Sequence, residues 1–380
     1  MINIWELGEK INIKPKEDFL IRINRLISKN YSSKEKFYNQ FKKQIIIPYN
    51  TFRNVLKYSY YKSGFYASLN VFIVCCEKLN IEKEELQLNI ESYKTEGGYN
   101  IIVDPILPIK ITPIFDMLLA HHIADGTVIN PKRGRQVYFG YRQFDEELRR
   151  LYVTKLESVF GKILFNKEDY IKTTTRPYCP VVLSQLFFRL YKLNERSFLS
   201  RSARIPKEVI NKNKNYILSV LLAFIIDEGN IDSTLICIKL KNPNLVDDLY
   251  LICKKLDYES KFNIKGDYGT LYILRNGMKK LFNDYKELIK IYPCAYLGKL
   301  DRKIEDGLKI YNRAIYKTKG NKNLILDMLK VENLTINQIA YRISMTRQGV
   351  RFHIHNLEKM SKIIKKGFIG KNNIVYSIKT

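Results

Sequence analysis

Two stretches, "ITPIFDMLLAHHIADGTV" (111–128) and "NYILSVLLAFIIDEGNI" (215–231), constrain the fold more than anything else in the chain. Each is apolar on every side for roughly three helical turns and then stops at an acid followed by glycine. A helix without a polar face has to be buried all round. Ala120, Ala124 and Ala223 fall where a neighbouring helix would need to come close, so the two copies are expected to pack against each other. Asp125 and Glu228 are 103 residues apart, and each copy therefore opens its own half. The glycine after each acid is expected to release the chain from the helix end. That leaves two carboxylates together at helix C-termini, where the macrodipole disfavours negative charge. A cation is needed to offset them, and crowded carboxylate oxygens suit a hard divalent ion.

The order of elements after each copy repeats as well. In "TLICIKLKNPNLVDDLYLICKKLDYESKF" (234–262), Ile236, Ile238 and Leu240 alternate with Cys237, Lys239 and Lys241, which predicts a half-buried strand followed by a helix. "RQVYFGYRQFDEELRRLYVTKLESVFGKILF" (135–165) reads the same way. The polar strand faces, with Lys239, Arg135 and Tyr138, are expected to meet DNA, and Lys172, Arg176 and Lys265 are loop candidates for phosphate contacts. Adjacent helical residues point about 100° apart, so at most one of His121 and His122 faces Asp125, and core packing is the expected role of both. Asp227 either adds a third carboxylate at the site or points into solvent.

The chain has 380 residues, enough for two or three domains. Its 65 Lys and Arg against 38 Asp and Glu give a net charge of +27, which calls for a polyanionic partner. Double-stranded DNA is the first candidate and an anionic membrane the second. There is no apolar run of about 18 residues and no signal peptide, so no membrane association is expected and the protein reads as cytoplasmic, on the nucleoid when bound to DNA. The six cysteines (75, 76, 179, 237, 253 and 294) form no C-x-x-C pair and read as small core residues. No obligate protein partner is implied; a monomer with internal pseudo-symmetry is expected.

The chain ends carry separate patterns. Residues 1–105 read as an all-α helix-turn-helix-like domain, closed by a Gly-Gly and proline-rich linker, 96–113. There, Tyr49, Asn50 and Arg53 would lie on a helix entering the major groove; a helical bundle with a basic solvent face fits the same pattern. Residues 320–380 read as a winged helix: a helix at 321–330, a second beginning at the N-cap Thr335, a third at 344–360, and two strands around a Gly-Lys-Asn-Asn turn. Arg347, Gln348, Arg351 and His355 would share the face of its recognition helix. A winged helix also serves protein contacts, but the basic wing, Lys365, Lys366 and Lys371, favours DNA.

The twin segments resemble the paired motifs of the single-chain, intein-like LAGLIDADG homing endonucleases, Leu118–Gly126 and Leu221–Gly229 matching the nine-letter pattern. "RIPKEVI" (204–210) resembles the segment that closes the first half there. The resemblance implies an α+β fold over residues 106–313, with two αββαββα halves (106–207 and 208–313) whose antiparallel sheets form a saddle on DNA. It implies Asp125 and Glu228 as catalytic acids holding Mg²⁺ or Mn²⁺, with Lys241 and Arg142 as basic partners. Arg142 departs from the expected lysine. The implied activity is metal-dependent cleavage of both DNA strands, by a free-standing protein, since Met1 and Thr380 lack the terminal residues of an intein. Two alternatives stay open: a regulator that keeps the fold and binds DNA without cutting, or an RNA maturase.

Overall fold

The two apolar helices, Pro113–Ala124 and Lys214–Glu228, lie side by side at the centre of the computed structural model. The structure describes residues 1–8, 10–96, 98, 100–129, 136–165, 170–232, 234–314, 320–343, 345–369 and 373–379. Every residue from Pro113 to Ile123 and from Ile217 to Ile226 is buried, as helices without a polar face require. Thr112 starts the first helix by accepting from the Phe115 amide, with Pro113 in the first turn. The buried Asp116 then accepts from Lys212 Nζ at 2.6 Å and from the Tyr191 hydroxyl, which pins the start of one helix to the approach of the other.

Gly126 and Gly229 release the chain from the helix ends as expected, and do so without a left-handed turn. Gly229 has φ −81° and ψ 133°, and each glycine passes straight from helix into strand. A Cβ at either would come within 2.3 Å of a carbonyl oxygen in the helix's last turn, His122 O or Ile225 O. Glycine is needed for close approach rather than for positive φ.

The second half builds a four-stranded antiparallel sheet, ordered Ser260–Lys265, Tyr268–Leu274, Leu235–Leu240, Gly229–Ile231. Ile236, Ile238, Leu271 and Ile273 bury one face under the helix Pro243–Lys255 and its neighbours. The first half is different. Gly126–Ile129 pairs with Tyr138–Tyr141, and a bridge joins Gly140 to Tyr178. The next strand, Lys162–Leu164, leaves this sheet and pairs with Ile101–Val103 instead.

That pairing corrects the all-α expectation for the N-terminal region. Its helices exist (Glu17–Tyr31, Lys34–Ile45, Tyr49–Val55, Tyr58–Lys62, Leu69–Leu79 and Lys83–Leu88), but they pack on a five-stranded sheet. The sheet order is Ala67–Ser68, Ile11–Pro15, Ile90–Thr95, Ile101–Val103, Lys162–Leu164. Ile11 and Ile13 alternate with Asn12 and Lys14 over too few residues to stand out against the long helical runs beside them. The expected linker thus contributes a strand, and the sheet continues across residue 105. Gly161 (φ +104°) locks the junction, because a Cβ there would meet Asp104 O at 2.6 Å.

At the other end, Ile325, Leu329, Ile339, Val350, Ile354 and Leu357 form a small core of their own. Around it stand helices Asn321–Val331, Ile336–Arg342 and Arg347–Lys359, and a sheet ordered Leu334–Thr335, Asn373–Ile378, Ile363–Ile369. Thr335 caps the second helix as expected, with Gln338 returning a bond to its amide at 2.8 Å. The third begins at Arg347, under the cap Thr346, not at Ser344, which lies outside the described residues. The whole is a mixed α+β protein with several antiparallel sheets, and among the described residues no helix is long and apolar enough to cross a membrane.

A candidate nucleic-acid interface and its acid pair

Asp125 and Glu228 stand at the two helix ends, each about half-buried. Burial raises the Asp125 carboxyl to about 6, with a further push from Asp227 and relief from Arg142. Glu228 is raised to about 7, again first by burial and then by Asp125 and Asp227. The helix pairing therefore brings the acids together as expected, near enough to repel. Arg142 is delivered to Asp125 by its amide, which donates to Asp125 O at 3.3 Å, while its guanidinium lies over the Phe144 ring. Lys241 is placed differently: it lies over Tyr268 beside Lys239, at a cavity of about 370 Å³ also lined by Arg201 and Asp267. The charges acting on Glu228 are both negative.

Asp227 adds a third carboxylate near the pair, pushing on both acids, and does not point into solvent. Its side chain is wholly buried and faces the first half, 2.8 Å from His121 Nδ1, and it accepts from the Tyr141 hydroxyl at 2.5 Å. Burial raises this carboxyl, and buried Lys155 pulls it back; the Lys155 ammonium is itself lowered by burial and supported by Asp227. His121 is held neutral by burial and by the Lys155 charge. His122 turns elsewhere, to the Tyr152 hydroxyl at 2.6 Å, and burial takes it down to about 3. Both histidines are core residues, as expected, but His121 belongs to a polar network that joins the halves.

Sequence reading missed Tyr141, Tyr152 and Lys155. Lys155 did leave a signal: it falls on the apolar stripe of helix Glu146–Phe160, between Tyr152 and Val159. Among the described residues, no group of three or more His, Cys, Asp or Glu is arranged to hold a metal. Two carboxylates alone suit a hard ion that keeps most of its water, and Arg142 already offsets part of the charge on Asp125.

The open face of the four-stranded sheet is mainly polar, with Cys237 and the Leu235–Leu274 pair as its apolar members. Lys261 pairs with Tyr272, Asn263 with Thr270 and Lys265 with Tyr268, and Thr270 pairs with Lys239 on the next strand. Lys239 lies over the Tyr268 ring at 5.0 Å and Lys261 over Tyr272 at 5.8 Å. In the first half, Tyr138 is buried edge-on against Tyr178, so it does not reach the open face as expected. Its short strand is covered on both sides, every residue from Tyr138 to Tyr141 being buried. Arg135 and Lys371 lie outside the described residues. Arg347, Gln348, Arg351 and His355 are all exposed along their helix, and the exposed Phe352 sits among them. In the N-terminal region Asn50 and Arg53 are exposed, whereas Tyr49 is packed on Tyr38.

No protein-family model matches the chain, and no curated protein does. Among solved structures it matches full-length DUF199/WhiA from Thermatoga maritima at 13% identity, over 65% of this chain and 90% of that one, with a TM-score of 0.28. Membership of the homing endonuclease family is corrected accordingly. No model of that family matches, and the matched structure bears the name DUF199/WhiA rather than that of an endonuclease. Two nine-residue motifs can be met by any pair of buried, closely packed helices that end in an acid and a glycine, which is why they did not carry the family with them.

Proposed function

We propose that this chain is a DNA-binding regulator, monomeric and pseudo-symmetric, that holds duplex DNA without cutting it. The observation that carries the reading is the open face of the four-stranded sheet, where Lys239, Lys261 and Lys265 stand among Tyr268, Thr270 and Tyr272, while Ile236, Ile238, Leu271 and Ile273 of the two inner strands pack the core on the opposite face. Cations on a broad sheet face neutralise phosphates, and the hydroxyls and rings between them reach groove edges. The C-terminal helices and sheet support the reading as a winged helix, with Arg347, Gln348, Arg351 and His355 on its groove-entering helix. Helices Lys34–Ile45 and Tyr49–Val55 support a second helix-turn-helix, reading through Asn50 and Arg53.

A second reading, divalent-metal-dependent cleavage of the bound duplex, is favoured by one observation: both carboxyls at the helix ends are raised, first by burial and then by neighbouring carboxylates, Asp227 beside Asp125 and Asp125 with Asp227 beside Glu228. Mg²⁺ held by Asp125 and Glu228 would supply water activation, and Arg142 would offset charge on the phosphate. One experiment separates the readings. A duplex library is incubated with the protein in Mg²⁺, and both bound and cut products are sequenced, with single-stranded RNA as a parallel arm. Retained, uncut duplexes sharing a sequence support the regulator. Cutting that disappears in Asp125→Asn/Glu228→Gln establishes the nuclease, and preference for RNA establishes a maturase. On the selected duplex, Lys239→Ala and Lys261→Ala should each remove roughly one unit from the slope of log affinity against log salt, measured by fluorescence anisotropy.

A further inference from the structure

The stretch from Asn54 to Tyr66, "NVLKYSYYKSGFY", is left unexplained by duplex binding. Tyr61 is buried and donates to Val55 O at 2.7 Å, so it anchors the segment. Tyr60 rests edge-on against it, and Phe65 stacks on Tyr60 with centroids 4.9 Å apart and planes within 20°. Gly64, at φ +80° with open space around it, turns the chain back to make that stack. Phe65 is nevertheless 55% exposed, so its outer surface is open. The ring is held in place from below by Tyr60, so its outer face is presented to solvent in a fixed orientation.

Charge specifies the occupant. No Asp or Glu occurs between Glu35 and Glu77, whereas six Lys or Arg do. Lys62 lies over the Tyr58 ring and Lys94 over Tyr66 at 4.6 Å. The nearby acid, Glu91, is already engaged by Lys14 and the Tyr58 hydroxyl. Lys34 is lowered by burial and then by repulsion from Lys57 and Arg53, so these three cations crowd one another. The occupant should therefore carry negative charge next to a flat apolar face.

We propose that the Tyr60–Phe65 stack and its lysine rim form a platform for unpaired nucleic acid, one base stacking on Phe65 while Lys57 and Lys62 meet the adjoining phosphates. A duplex hides its base faces inside the stack, so only an unpaired strand offers both groups at once. The site is separate from the sheet face and does not depend on the duplex reading.

The test measures anisotropy of labelled oligothymidylate and of a mixed-sequence duplex with the full chain. Phe65→Ala should weaken the single strand about tenfold, in line with the worth of one base–aromatic stack, and leave the duplex unchanged. Phe65→Trp should restore binding, and Lys57→Glu should flatten its salt dependence. Unchanged single-strand affinity in Phe65→Ala, or equal loss for strand and duplex, overturns the proposal. Failure of the wild type to bind duplex would count against the proposed regulator while leaving the platform standing.

Discussion

Asp227→Ala is expected to cost about 3–5 kcal/mol of stability, the largest loss for any single side chain in the network between the halves. Three buried groups depend on its carboxylate: His121, 2.8 Å away, the Tyr141 hydroxyl at 2.5 Å, and the charge on Lys155. Alanine takes the shared acceptor from His121 and the counter-charge from Lys155 in a region that water does not reach, leaving Tyr141 only Gln143, and the penalty is that of unmet buried polar groups rather than of lost contact. Asp227→Asn should recover part of it, since the amide oxygen still accepts from Tyr141 but no longer balances the ammonium. Adding Lys155→Met to Asp227→Asn should then stabilise, because it removes the charge that asparagine strands. Urea denaturation at neutral pH measures all four proteins in a double-mutant cycle. A loss below about 1 kcal/mol for Asp227→Ala would mean that the network is not what joins the halves.

The same network shows where sequence reading worked and where it stopped. The pairing of the two helices was legible because an apolar helix with small residues has few ways to be buried, and it placed Asp125 and Glu228 together without any structure. The second-half strand was equally plain, since Leu235–Leu240 alternates strictly and its burial follows that alternation. The first half was not. "YFGY" alternates nothing and is buried on both faces, so Tyr138 looked like a groove contact and became core. The N-terminal sheet was missed because its strands come from residues far apart in the chain, and no local period announces a partner at Lys162–Leu164. Asp227 shows a different limit: its neighbours in sequence place it at the acid pair, while its partners His121, Tyr141 and Lys155 come from two helices and a strand of the first half. Motif spacing read the backbone correctly and overreached on family.

Replacing both acids, Asp125→Asn/Glu228→Gln, is expected to stabilise the protein by about 2 kcal/mol at pH 8, a figure reduced for the partial exposure of both groups. The sign follows from the direction of the shifts. Asp125 is raised from 3.8 to about 6 and Glu228 from 4.5 to about 7, so the folded chain holds these protons more tightly than the unfolded one. Stability is therefore greatest in acid for these two groups, falls as pH rises between about 4 and about 7, and is level above that. The double variant should lose this slope. Thermal melts across that range test it, and a variant less stable than the wild type at pH 8 would show that the acids are engaged in attraction rather than repulsion. Millimolar Mg²⁺ should raise the wild-type midpoint and leave the variant's alone if an ion settles between the carboxylates; equal shifts would place it elsewhere. DNA adds the decisive constraint. A polyanion brought up to the acid pair favours the protonated carboxyls, so duplex affinity should fall as pH rises through about 6 to 7 in the wild type and stay level in the variant. If Mg²⁺ restores the affinity lost at high pH only where the acids are intact, the pair is a cation-dependent part of the DNA contact, whether or not a strand is cut there.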